Sequence, residues 1–133
     1  MNMSELSPDT FIIRSVEVGD SIFLEGQPAD HAYIILRGHA EVVVQNTAGE
    51  IIPINRMSPG ELFGEIALLT DQKIRTATVM AADKCELVEI DRTVFDTRLA
   101  NADPLVRFVL DHVTRRLTQL TGKVVAKNPP VQE

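Results

Sequence analysis

A chain of 133 residues has room for one domain with one core. With 44% hydrophobic and 24% charged residues it has the balance of a globular chain, and its single cysteine excludes an internal disulfide, a four-cysteine zinc site and a cysteine-ligated iron cluster. The net charge of −6 argues against broad contact with nucleic acid and obliges any small anionic ligand to rely on local donors.

Residues 1–10 carry no basic stretch followed by an apolar run, so no signal peptide is read there; Ser7, Pro8 and Asp9 suit a turn or short cap. No apolar run is long enough to span a bilayer, and the cytoplasm is the expected compartment. From residue 11 to 90 short apolar runs alternate with turns every eight to twelve residues, the pattern of an all-β barrel or sandwich. Strands are predicted over 12–18, 21–24, 32–36, 40–45, 51–55, 75–81 and 86–90. Gly19, Gly26, Gly38 and Gly49 punctuate them, and many short antiparallel strands with glycine turns suit a jelly roll. Cys85 falls in a strand and is expected to be an inert buried thiol.

The densest chemistry lies in GELFGEIALLTDQKIRTATV, residues 60–79. Ser58, Pro59 and Gly60 make a turn, and a short helix is expected to begin at Gly64, through Glu65, Ile66, Ala67, Leu68 and Leu69, and to end at Thr70 and Asp71. Free N–H groups at a helix start attract anions, and Gly64 removes the side chain that would block them. Ten positions after Glu65 stands Arg75, whose planar fork matches two phosphate oxygens, while a carboxylate suits a sugar hydroxyl. Together they ask for a ribose phosphate. The competing expectation is that Glu65 and Arg75 form an ion pair beside a loop.

This stretch resembles the phosphate-binding cassette of the cyclic nucleotide-binding domain family, and VEVGDSIFLEGQPADHAYIILRGHAEVVV resembles the family's first half, so the likeness covers residues 11 to about 121. It implies the jelly-roll barrel, with Glu65 on the ribose 2′-hydroxyl, Arg75 on the cyclic phosphate, and backbone groups of Gly64, Ile66, Ala67 and Thr76 completing the cradle. The ligand it implies is cyclic AMP or cyclic GMP. Thr76 is where the choice of base is expected to turn, and the compact build favours cyclic AMP. One departure is that almost nothing precedes Phe11, where many members carry a longer helical segment.

After the barrel, a short helix is read over 92–99, and Asp103 with Pro104 opens a long helix to about Lys127. Leu110, Val113, Leu117, Leu120 and Val124 recur at spacings of three and four, a seam for a homodimer unless the helix lies on its own barrel. In the catabolite activator branch, which the RRL-containing helix resembles, late polar residues touch the base; this carries weakly onto Leu120 and Thr121. Gly122 weakens the helix there by about 1 kcal/mol. Residues 128–133, with Pro129 and Pro130, are read as a frayed tail, giving a domain over 11–127 between two short ends.

Other chemistries fare worse. The three histidines, His31, His39 and His112, lack the spacing of a cupin-type metal enzyme, and no Gly-x-Ser-x-Gly turn occurs. His31 and His39 are expected beside turns, and His112 on the long helix. No catalytic or metal-ligating residue is assigned. The expected function is a cyclic nucleotide receptor signalling in trans, through its last helix, to an effector protein that the chain does not encode. The alternatives are a degenerate module kept for protein contacts and, further off, the metal enzyme.

Overall fold

The computed structural model describes residues 11–70 and 73–127, with side chains through Leu120. The expectations for 1–10, Asp71, Thr121, Val124 and 128–133 therefore lie wholly or in their side chains outside the described residues. Eight strands, β1 (Ile12–Val16), β2 (Ser21–Phe23), β3 (His31–Arg37), β4 (Ala40–Gln45), β5 (Ile51–Met57), β6 (Leu62–Phe63), β7 (Thr78–Ala81) and β8 (Cys85–Asp91), form two antiparallel four-stranded sheets. Their orders, β1-β8-β3-β6 and β2-β7-β4-β5, interleave distant parts of the chain as a jelly roll does.

Alternation along the strands decides what lies between the sheets. Ile22, Tyr33, Ile35, Ala40, Phe63, Val79, Cys85 and Leu87 belong to one core cluster. The intervening Ala32, Ile34 and Val88 face the other way and are also buried, where the one-turn helix α1 (Ile66–Leu69) lies against β3 and α2 (Arg92–Ala100) against β8. Cys85 is fully buried, and burial pushes its thiol pKa up, as befits an inert side chain.

Three predicted strands change a limit by two residues or more. The segment expected to be strand from residue 75 joins the sheet only at Thr78, because Arg75 spends its backbone elsewhere: its N–H donates to Gln27 O and its carbonyl accepts from Gly26 N, both at 2.8 Å. The first strand ends at Val16, before the turn in which Asp20 N donates to Glu17 O. The fifth continues past residue 55 to Met57, with Pro53 taken up where the register slips between Val42 and Val43. β6 was not predicted; two residues pairing Tyr33↔Phe63 and Ile34↔Leu62 are too few to show a period.

Gly38 turns β3 into β4 at φ +86°, and a Cβ there would meet Lys84 O at 2.2 Å. This close seating lets Asp83 bind His39 twice, accepting from its N–H at 2.6 Å and meeting ring Nδ1 at 3.0 Å.

α3 (Pro104–Lys127) starts where Asp103 Oδ1 accepts from Leu105 N at 2.8 Å. Its apolar residues divide. Leu110 and Leu117 are half-buried on a face shared with Arg107 and Thr114, whereas Val106, Val109, Val113 and Leu120 are 53–60% exposed. The expected single seam is thus corrected: two of its members face inward, and an outward stripe starts one turn earlier, at Val106.

Candidate ligand-binding site

The chain enters the site through β6 and bends at Gly64, whose φ of +76° lies in the left-handed region. A Cβ here would lie 3.0 Å from Arg75 Nη1 and 3.4 Å from His31 O, so a side chain at 64 would push the guanidinium off its seat. α1 follows as a single turn beginning at Ile66, one to two residues later than expected, with Glu65 in helical conformation just ahead. Leu68 and Leu69 N both donate to Glu65 O, and Thr70 donates to Ile66 O through its N–H and its hydroxyl. The N–H groups ahead of these, on Ile66 and Ala67, have no intrahelical acceptor.

Between this turn and the start of β7 lies an open cleft of about 180 Å³. Gly64, Ile66, Ala67, Arg75 and Thr76 line it, five of the six core site residues named from the sequence. Glu65, the sixth, is half-buried and not part of the lining. Leu120 is 60% exposed on α3 and is not part of the lining; nothing is described of the Thr121 side chain. Phe23, Val42, Phe63, Ala77 and Val79 complete the walls. Sequence reasoning passed over these apolar residues as core, although inward alternation on β4 and β7 would have marked Val42 and Val79.

Arg75 is the singular group of this wall. It is 4% exposed, the one polar or charged residue buried to this degree among the described residues. Its Nη2 donates to His31 O at 2.6 Å, its Nη1 donates to Gly64 O at 3.4 Å, and its guanidinium carbon sits 4.0 Å from the Phe23 ring centroid. Burial lowers its pKa, while Tyr33 and Asp30 act in the opposite sense; the guanidinium remains charged. It forms no ion pair among the described residues, and its Nε is buried without an acceptor. Across the turn, Glu65 Oε2 is likewise buried without a donor. The two side chains do not neutralise each other, so the ion-pair expectation is not met.

The far end of α1 is tied down from a distance. Arg92, the first residue of α2, donates through Nη2 to Ala67 O and, at 3.5 Å, to Ala29 O, while its N–H donates to Asp30 O at 3.0 Å. Nothing in the sequence reading singled out Arg92; its placement depends on contacts 25 and 63 residues away.

Among the described residues no group of three or more His, Cys, Asp or Glu could hold a metal ion, and no helix is long and apolar enough to cross a membrane.

The cyclic nucleotide-binding domain profile matches residues 13–102, and the chain belongs to that family. A cGMP-dependent protein kinase of Eimeria tenella is 31% identical over 92% of this chain, which spans only 13% of the kinase. Among solved structures, the half-site-occupied form of the EAL enzyme Bd1971 superposes with a TM-score of 0.76 at 28% identity, covering 84% of this chain and 98% of that one. The cAMP-bound form of the same enzyme gives 0.62 at 29% identity, covering 86% of this chain and 30% of that one. The catabolite activator protein of Thermus thermophilus, at 24% identity and a TM-score of 0.66 over 93% of this chain and 54% of that one, shares the fold.

Proposed function

We propose that this chain is a non-catalytic receptor for a 3′,5′-cyclic nucleotide, cyclic AMP in the first instance. The carrying observation is Arg75: a guanidinium buried to 4% exposure in a cleft wall, with no carboxylate partner among the described residues and an unpaired Nε. A buried cation without a counter-ion is costly, and a cyclic phosphate entering the cleft supplies the missing charge and acceptors. Gly64, Ile66, Ala67 and Thr76 already line the same cleft, ready to add backbone donors. The Thr76 side chain is exposed there, within reach of a ligand, and is the group assigned to distinguish the bases. Glu65 is assigned to the ribose 2′-hydroxyl, a role that requires its unpartnered Oε2 to gain a donor when ligand enters. Relatives bound to cAMP and to cGMP are both known from the Bd1971 structures, so both nucleotides belong in the test.

Output is assigned to α3 acting in trans. Its stripe of Val106, Val109, Val113 and Leu120, spaced by three, four and seven, follows the line of a coiled-coil seam and stands open to a second copy or an effector. Isothermal calorimetry with cyclic AMP and cyclic GMP in parallel tests the reading. Saturable heat with either nucleotide is expected, lost in Arg75→Ala. Absence of heat with both, together with an unmoved melting temperature, would instead support a module kept for protein contacts.

A further inference from the structure

If Arg75 receives the phosphate, what holds Arg75 in place becomes part of the recognition chemistry. A carboxylate would do so firmly, but it would neutralise the guanidinium and compete with the ligand for its N–H groups. The structure uses something else. Two carbonyls, His31 O and Gly64 O, accept at the guanidinium's edge, at 2.6 and 3.4 Å, and its central carbon lies over the Phe23 ring, 4.0 Å from the centroid. Edge contacts restrain sliding within the guanidinium plane; they resist tilting out of it poorly. The ring supplies that second restraint by cation–π attraction, consuming no N–H donor and cancelling no charge.

Phe23 is itself held. Its ring lies 6.0 Å from that of Tyr33 and 6.1 Å from that of Phe63, and β2 carries it opposite Val79 of β7. Tyr33 adds no anion, since burial pushes its hydroxyl pKa up and keeps it neutral. The same ring lines the cleft, so the residue that seats the guanidinium also borders the ligand.

We propose that Phe23 is a positioning residue for phosphate recognition: an aromatic shelf that fixes the plane of Arg75 while leaving its charge and its Nε–H free for a cyclic phosphate. The assignment rests on the cyclic nucleotide reading, and its test separates the two. Phe23→Leu removes the π face at similar volume; Phe23→Tyr keeps it. In calorimetry with cyclic AMP and cyclic GMP, Phe23→Leu is expected to weaken binding about tenfold, with Phe23→Tyr within about threefold of wild type. In proton NMR of ligand-free wild-type protein, the Arg75 side-chain signals, assigned by their loss in Arg75→Lys, are expected upfield from the Phe23 ring current. Phe23→Leu should return them to ordinary positions. Wild-type binding that survives unchanged in a folded Phe23→Leu overturns the shelf alone. Unshifted Arg75 signals in the wild type overturn it too, whether or not the leucine variant folds. A wild type that binds neither nucleotide overturns both the receptor reading and the shelf.

Discussion

The barrel and the last helix treat apolar side chains in opposite ways. Between the sheets, Ile35, Cys85 and Leu87 are fully buried, and even a charged residue, Arg75, is taken inside. On α3, Leu105, Val106, Phe108, Val109 and Val113 are 53–68% exposed, and of its described apolar side chains only Leu110 and Leu117 turn partly inward. The barrel buries a core of its own while leaving Ile12, Ile51 and Ile54 58–63% exposed at β1 and β5, whereas most of the described apolar side chains of α3 lie at the surface. Stability and ligand affinity should therefore respond to changes in the barrel, and association to changes on the helix.

The sharpest break in that division is Arg75→Ala. Charge-assisted hydrogen bonds contribute about 1.5–3 kcal/mol each, so two lost to the phosphate predict an affinity at least about a hundredfold weaker in calorimetry. The fold should survive, since a buried, unpaired charge is removed with the side chain. Wild-type-like affinity in this variant would detach Arg75 from the phosphate.

Next comes Gly38→Ala. A Cβ would lie 2.2 Å from Lys84 O on a residue at φ +86°, so both the backbone conformation and the seat against the β7–β8 turn are lost. The expected cost is about 2 kcal/mol or more, a fall of several degrees in melting temperature by calorimetry. Gly26→Ala, at φ +89° with nothing within 4 Å, carries only the conformational part and should fall less. Equal losses would show that the clash at Lys84 O is relieved cheaply.

On the helix the signs reverse. Val113→Glu should leave the melting temperature of the monomer nearly unchanged, because the residue is already 53% exposed. With α3 pairing two copies, as proposed, it should shift the sedimentation mass from dimer towards monomer. Leu117→Ala, on the half-buried face, should lower the melting temperature instead. If both variants act alike, the two faces of α3 are not distinct.

The smallest effect is a pH dependence at the ends of β8. Hydrogen bonds from the His39 ring and N–H hold the Asp83 carboxyl below its ordinary value, and the Thr93 N–H does the same for Asp91. Groups depressed in the folded state contribute stability above the unfolded value, near 3.9, and lose it as pH falls through the lower folded values. Melting temperature should therefore drop below about pH 4, and Asp83→Asn and Asp91→Asn should each flatten that drop. An unchanged acid limb in both variants would assign it to other carboxylates.

Much of this architecture is legible in the chain because turns and alternation are local properties. Gly19, Gly26, Gly38, Gly49, Gly60 and Gly64 all adopt positive φ, and strands lie between most of them. The site is legible where a residue type is chemically unusual, as with Gly64 and Arg75. What escaped depends on distant partners. Residues 75–77 look like the start of a strand, yet the backbone of Arg75 pairs with Gly26 and Gln27. Phe23 reads as one more core aromatic until the fold sets Arg75 above it. The spacing of Leu110, Val113, Leu117 and Leu120 cannot say which half is the more buried, since both halves are equally apolar.

Arg92 has a mechanical consequence. Its guanidinium donates to carbonyls of Ala67 and Ala29 while its backbone N–H holds Asp30 O, so the residue tethers the cassette turn to the loop before β3. It is also the first rung of α2, which leads through a three-residue link into α3. A displacement of Ala67 would load the base of α2 through this side chain, and a long helix turns a small shift at its root into a larger excursion at its tip.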